Sequence, residues 1–185
     1  MSGVAPDHLA ALYAESDDPW DFRQSPYEQE KFRATCAALP RPRYRSVLEL
    51  GCGNGELARH IATRCESYTG VDAVETALDA ARQAVPRGRF VRAYLPAPLP
   101  GGGHDLILLS EILYFLDAPG IRDLAEQIDR RWPEADLICV SWLGPSGNAL
   151  QGQEALDFYR DATPRAFRCL RPGPDYRIDV AEAAR

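Results

Sequence analysis

The residues best placed to do chemistry stand in ELGCGNG, where Glu49, Gly51, Gly53 and Gly55 alternate directly after the apolar run SVLEL and directly before the helical pattern ELARHIATR. Glycines in such a loop let a ligand approach the backbone where side chains would collide, and the loop opens onto a helix N-terminus. About twenty residues on, Asp72 closes the next apolar run, SYTGVD, where a carboxylate can accept hydrogen bonds from two ribose hydroxyls. Loop and acid together point to a nucleoside-containing ligand. Cys52 inside the loop, Ala73 after the acid and Ser110 at the end of a later strand belong to the same expected lining.

Spacing decides which nucleoside. A dinucleotide fingerprint reads G-x-G-x-x-G, whereas the sixth position counted from Gly51 is Glu56, and no lysine follows the loop as in a P-loop. Glu49 and Glu56 would also repel a pyrophosphate. The pattern E-x-G-x-G-x-G resembles that of Rossmann-like, class I methyltransferases, whose cofactor, S-adenosyl-L-methionine, carries a sulfonium and an ammonium that tolerate neighbouring acids. The alternative is that the three glycines only make a tight strand-to-helix turn.

These residues need a scaffold that brings strand ends together. SVLEL, SYTGVD, RFVRAY, DLILLS and DLICVSW read as strands, and ELARHIATR, VETALDAARQAV and a stretch from Ile121 to Trp132 read as helices between them. Such alternation implies a parallel sheet covered on both faces. After a helix from Glu154 to Arg160, AFRCLR, the turn RPGP and YRIDVA read as an antiparallel hairpin added to the sheet. The expected fold is α/β and Rossmann-like, with a seven-stranded mixed sheet. Upstream, one short helix is expected from Asp7 to Ala14 and another from Ser25 to Leu39. Ser25 and Glu28 form a capping box, Pro26 takes the first helical position, and Pro40 and Pro42 end the helix. The chain then divides into N-terminal helices over 1–45, covering the cofactor site, and a domain over 46–185, the two forming one structural unit. The segment from Trp142 to Arg165 carries no motif.

DPW (Asp18 to Trp20), SPYEQEKF (Ser25 to Phe32), LELGCGNG (Leu48 to Gly55) and LLSEILYFLD (Leu108 to Asp117), in this order and spacing, resemble the nodulation protein S family of methyltransferases. The resemblance runs from about Asp17 to the closing hairpin. It implies S-adenosyl-L-methionine as cofactor and, as acceptor, the free amine of a deacetylated chitooligosaccharide or a related amine. It also implies that the N-terminal helices form a lid. Tyr27 and Lys31, four residues apart on one helix face, would then meet the carboxylate of the methionine moiety, with Trp20 packed across the cofactor. Lys31 is the only lysine beside twenty arginines. The plainer alternatives are a hydrophobic plug for Trp20 and a solvated charge for Lys31. Many class I methyltransferases bind the adenine amino group with an aspartate after the third strand. Tyr94 stands there in this chain, so a backbone carbonyl near Tyr94 or Leu95 would have to serve.

A protonated amine has no lone pair, so methyl transfer to nitrogen needs a proton acceptor. Glu111 follows the fourth strand at the edge where open α/β sheets bind ligands, and it could hold the ammonium, take its proton and orient the lone pair. Tyr114, three residues on, could add a hydrogen bond or an aromatic wall. The alternatives are a carboxylate favoured by a helix dipole for Glu111 and a core aromatic for Tyr114. Asp117 reads as a helix cap. Rival functions are O-methylation of a small molecule or glycan hydroxyl, and a protein that binds the cofactor without catalysis.

Composition narrows the partners. The net charge of -6 and the scattered arginines disfavour a nucleic-acid partner. No run of 18 apolar residues exists and MSGVAPDHLAAL lacks the regions of a signal peptide, so a soluble, cytoplasmic protein with no membrane partner is expected. Cys36, Cys52, Cys65, Cys139 and Cys169 form no CxxC pair and read as free, mostly buried thiols. With His8, His60 and His104 equally dispersed, no metal is expected. The oligomeric state is not specified.

Overall fold

Alternate residues along the central strands point to opposite faces, and each face has its own helices. Leu48, Leu50, Ile107, Leu109, Leu137 and Cys139 pack on one side with Ile121, Leu124 and Ile128, while Val47, Leu106, Leu108, Ile138 and Val140 pack on the other with Phe32, Leu57 and Ile61. This is the period-two pattern of strands buried on both faces. The computed structural model describes residues 3–183. The outermost two residues at each end of the division into 1–45 and 46–185 lie outside the described residues.

Seven strands, β1 (Tyr44–Leu50), β2 (Cys65–Asp72), β3 (Arg89–Arg92), β4 (Leu106–Ser110), β5 (Asp136–Trp142), β6 (Arg168–Arg171) and β7 (Tyr176–Ala181), form one sheet in the order β3-β2-β1-β4-β5-β7-β6. The first five run parallel; β7 is antiparallel to both β5 and β6. The helices are α1 (Pro6–Leu12), α2 (Pro26–Ala37), α3 (Glu56–Ile61), α4 (Glu75–Ala84), α5 (Ala118–Arg131) and α6 (Gly152–Asp161). The mixed seven-stranded α/β sheet with its terminal hairpin matches the sequence expectation. From β1 the chain winds outward through β2 to β3, then returns to place β4 on the other side of β1. That reversal is a topological switch point, and ligands of such sheets bind outside the carboxyl ends of the strands there.

Of the boundaries that differ from expectation, three have clear local reasons. β3 stops at Arg92: the Ala93 amide still donates to the Asp72 carbonyl at 2.9 Å, but beyond it the Tyr94 hydroxyl donates to the carbonyl of Val4. β4 starts after Asp105, whose carboxylate accepts the amides of Arg45 and Ser46 at 3.1 and 2.9 Å. α5 begins at Ala118, capped by Asp117, which accepts the Gly120 amide at 2.9 Å. Four of the five thiols are buried and Cys169 is exposed.

Candidate functional site

The carboxyl ends of β1, β2 and β4 open into a cleft of about 600 Å³, roofed by residues of α1, the DPWDF turn and α2. Pairing sets Leu50 level with both Val71 and Leu109, so the loops after β1 and β4 face each other across the cleft. Trp20, Tyr27, Lys31, Glu49, Gly51, Cys52, Gly53, Asp72, Ala73, Tyr94, Leu95, Ser110, Glu111 and Tyr114 all line it. Of the expected site residues, only Gly55 lies off it.

The three glycines turn out to do different things. All have positive φ, at +81°, +49° and +83° for Gly51, Gly53 and Gly55. A Cβ on Gly51 would stand 2.6 Å from the Ser110 carbonyl oxygen, and one on Gly55 would stand 2.8 Å from the Ala81 Cα of α4. Those two glycines let backbones pack. A Cβ on Gly53 would find its nearest neighbours, Phe22 and Tyr13, at 3.5 Å; this glycine faces the cleft.

Four of the loop's amides are already bonded within the protein. Gly51 and Cys52 both donate to the Val71 carbonyl at 2.9 and 3.1 Å, Gly55 donates to the Cys52 carbonyl at 3.0 Å, and Gly53 donates to Asp72 Oδ2 at 2.9 Å. A pyrophosphate requires such donors to be free. The lining is acidic as well: Glu28, Glu49, Glu56, Asp72 and Glu111 face Lys31 and His8, with no arginine among the described lining residues. Both observations suit a cationic nucleoside such as S-adenosyl-L-methionine. Asp72 also accepts the Val74 amide at 3.1 Å, and burial raises its pKa. Glu49 lies fully buried, accepts the Tyr68 hydroxyl, and is pushed up to about 7 by burial.

Trp20 is neither a plug nor wholly free. It stacks on Phe22 with centroids 5.5 Å apart, meets Tyr13 edge-on at 5.4 Å, and remains 41% exposed. Lys31 is not a solvated charge, for it is 2% exposed. Its ammonium lies 2.8 Å from Glu28 and pairs with Glu111. Burial alone would lower the Lys31 pKa, but the charges of Glu111 and Glu28 outweigh it and raise it above the ordinary lysine value. The Tyr27 ring centroid lies 5.5 Å from the same ammonium.

Glu111 follows β4 in the left-handed region at φ +53°, its amide donating to the Val140 carbonyl at 3.0 Å. A non-glycine residue there is strained by about 1 to 3 kcal/mol. Its carboxylate accepts the Tyr114 hydroxyl at 3.3 Å, and burial followed by the Glu111 charge raises the Tyr114 pKa. Tyr114 therefore contributes to both core and cleft.

Sequence reasoning passed over Asn54, Glu28 and Trp142, all of which line the cleft. Asn54 donates to Asp18 Oδ1 at 2.9 Å, a pairing across 36 residues that no local pattern announces. Trp142 ends β5 and packs edge-on against Tyr27 at 6.2 Å.

The chain matches the methyltransferase domain family over residues 47–132. Nodulation protein S of Rhizobium tropici is 26% identical over 141 residues, which are 74% of this chain and 55% of that protein. The chain thus spans about half the length of the curated relatives it matches. A Pseudomonas syringae protein assigned to the methyltransferases has a crystal structure with 33% identity and a TM-score of 0.71, covering 84% of this chain and 97% of its own. The N-methyltransferase NodS of Bradyrhizobium japonicum WM9, solved with S-adenosyl-L-homocysteine, shares the fold at 18% identity and a TM-score of 0.79, covering 97% and 99% of the two chains. Among the described residues no cluster could hold a metal ion, and no helix is long and apolar enough to cross a membrane.

Proposed function

The chain belongs to the methyltransferases and is similar to nodulation protein S, and on that premise we propose that it methylates the nitrogen of a protonated amine, such as the free amine of an amino-sugar or deacetylated glycan. The observation that carries this reading is the placement of Glu111. Its backbone takes the left-handed conformation at the cleft edge of β4, and its carboxylate already binds an ammonium, that of Lys31. The acids around it favour a cationic acceptor and would repel one bearing carboxylates.

Gly53 and Asp72 would meet the ribose side of the cofactor, Ala73, Tyr94 and Leu95 its base, and Trp20 and Tyr27 would close over it from the N-terminal side. When bound, S-adenosyl-L-methionine supplies a methyl group activated by its sulfonium. Glu111 would receive the proton of the acceptor ammonium and so leave the nitrogen lone pair free to meet the methyl group that the cofactor supplies. Tyr114 keeps the Glu111 carboxylate oriented, and Glu111 later returns the proton to solvent. Holding nitrogen and methyl in line can supply up to roughly 7 to 11 kcal/mol in well-oriented cases.

Mass spectrometry of reactions with glucosamine, a deacetylated chitooligosaccharide and their N-acetylated forms tests the reading. Methylation of the free amines alone is the expected result. Methylation of the N-acetylated forms would identify a hydroxyl acceptor, and cofactor binding without any product would indicate a non-catalytic protein.

A further inference from the structure

Only half of the capping box expected at the start of α2 forms. Ser25 Oγ accepts the Glu28 amide at 3.4 Å, but the Ser25 amide donates to the Asp21 carbonyl at 2.9 Å, where the box would have it donate to Glu28. The Glu28 side chain is thereby free to turn into the cleft, where it meets Lys31 at 2.8 Å. Two carboxylates from different parts of the chain, Glu28 on α2 and Glu111 after β4, converge on one ammonium.

Two carboxylates thus share one ammonium, no arginine of the described lining stands beside them, and burial raises the Glu28 pKa. Aromatic groups complete its walls: the Tyr27 ring lies against the Lys31 ammonium, Trp142 packs on Tyr27, and the Tyr114 hydroxyl bonds Glu111. Paired acids with aromatic faces are what a desolvated organic ammonium requires.

We propose that Glu28 and Glu111 together form the subsite for the acceptor's ammonium, and that Lys31 occupies this subsite until an acceptor displaces it. The inference rests on the amine-methylation reading above. It makes Glu28 a specificity-determining residue and gives a reason for discrimination. An acceptor ammonium replaces the Lys31 charge like for like, whereas a neutral hydroxyl would leave buried carboxylates without a cation, and such unpaired charges are strongly unfavourable.

Because Lys31 is the only lysine, protein grown on lysine labelled with carbon-13 at Cε gives one lysine side-chain resonance. Titrating glucosamine or methylammonium into protein saturated with S-adenosyl-L-homocysteine should shift that resonance saturably, and N-acetylglucosamine should not. Glu28→Gln should raise the glucosamine concentration needed by about ten-fold, with the affinity for S-adenosyl-L-homocysteine unchanged. The proposal is overturned if neither amine moves the resonance, if glucosamine is methylated while it stays fixed, or if Glu28→Gln leaves the titration unchanged. It is also overturned if S-adenosyl-L-homocysteine alone moves the resonance and glucosamine moves it no further, which would assign Lys31 to the cofactor carboxylate. A shift with both amines but methylation of neither would leave the subsite standing and remove the amine-methylation reading.

Discussion

Asn54, between two glycines of the loop after β1, donates its side-chain amide to the carboxylate of Asp18 at 2.9 Å. Asp18 also accepts the amides of Phe22 and Arg23 at 2.8 and 3.0 Å, so one carboxylate folds the DPWDF turn and fastens it to the glycine loop. This contact is the physical reason an aromatic segment ahead of the sheet bears on the site at all: it holds Phe22 over Gly53, with Trp20 stacked on Phe22. Hydrogen bonds to a charged group contribute about 1.5 to 3 kcal/mol each. Asp18→Ala should therefore loosen the turn, seen as faster amide exchange over residues 17–24, and weaken S-adenosyl-L-homocysteine binding about ten-fold. Unchanged affinity would show that the turn does not cover the cofactor.

The three loop glycines should separate in a stability and binding comparison. Gly51→Ala and Gly55→Ala place a Cβ 2.6 and 2.8 Å from backbone atoms, and both should lower the melting temperature sharply. Gly53→Ala meets nothing closer than 3.5 Å and should cost only the left-handed strain, about 1 to 2 kcal/mol. It should nevertheless lose cofactor affinity, because its Cβ points into the cleft. Equal destabilisation by all three, with normal affinity for the Gly53 variant, would mean that the loop is only a turn.

Glu49 gives a pH signature. Its ordinary value of 4.5 is raised to about 7 by burial, so the folded protein keeps a proton that the unfolded chain releases between these values. The contribution to stability is whole below about pH 4.5 and is lost as pH rises through about 7, a difference of about 3 kcal/mol. Glu49→Gln removes the titration. Urea unfolding from pH 4 to 8 should show the stability of the variant rising relative to wild type by about that amount, and a constant difference would mean that Glu49 titrates in the folded protein as it does in the unfolded chain.

What the sequence made legible was what local pattern controls. Apolar runs gave the strands, Asp117 announced its cap, and the loop after β1 with Asp72 marked the cleft. Gly55 shows the limit, since a glycine packed against a helix and a glycine opened to a ligand look alike in sequence. Glu28 shows it more sharply. A local rule assigned its carboxylate to its own helix start, and a tertiary ion pair with Lys31, joined by a residue after β4, prevailed. The Asn54–Asp18 and Lys31–Glu111 contacts depend on the fold bringing distant segments together, and no spacing within either segment encodes them.

Glu111 is where the chemistry can be separated from cofactor binding. Glu111→Gln keeps the side chain's size and the strained backbone but cannot take a proton, and it leaves Lys31 paired with Glu28. General bases typically contribute 10² to 10⁴ in rate, so single-turnover methylation of an amine should slow by at least about a hundred-fold. Affinity for S-adenosyl-L-homocysteine should change little, because Gly53 and Asp72 are untouched. Glu111→Asp retains a carboxylate on a shorter arm, and it should recover part of the rate while loosening the contact with the Tyr114 hydroxyl. Full activity in the glutamine variant would exclude Glu111 as the proton acceptor and leave it a structural partner of Lys31. Loss of cofactor binding in both variants would instead place Glu111 on the cofactor side of the cleft.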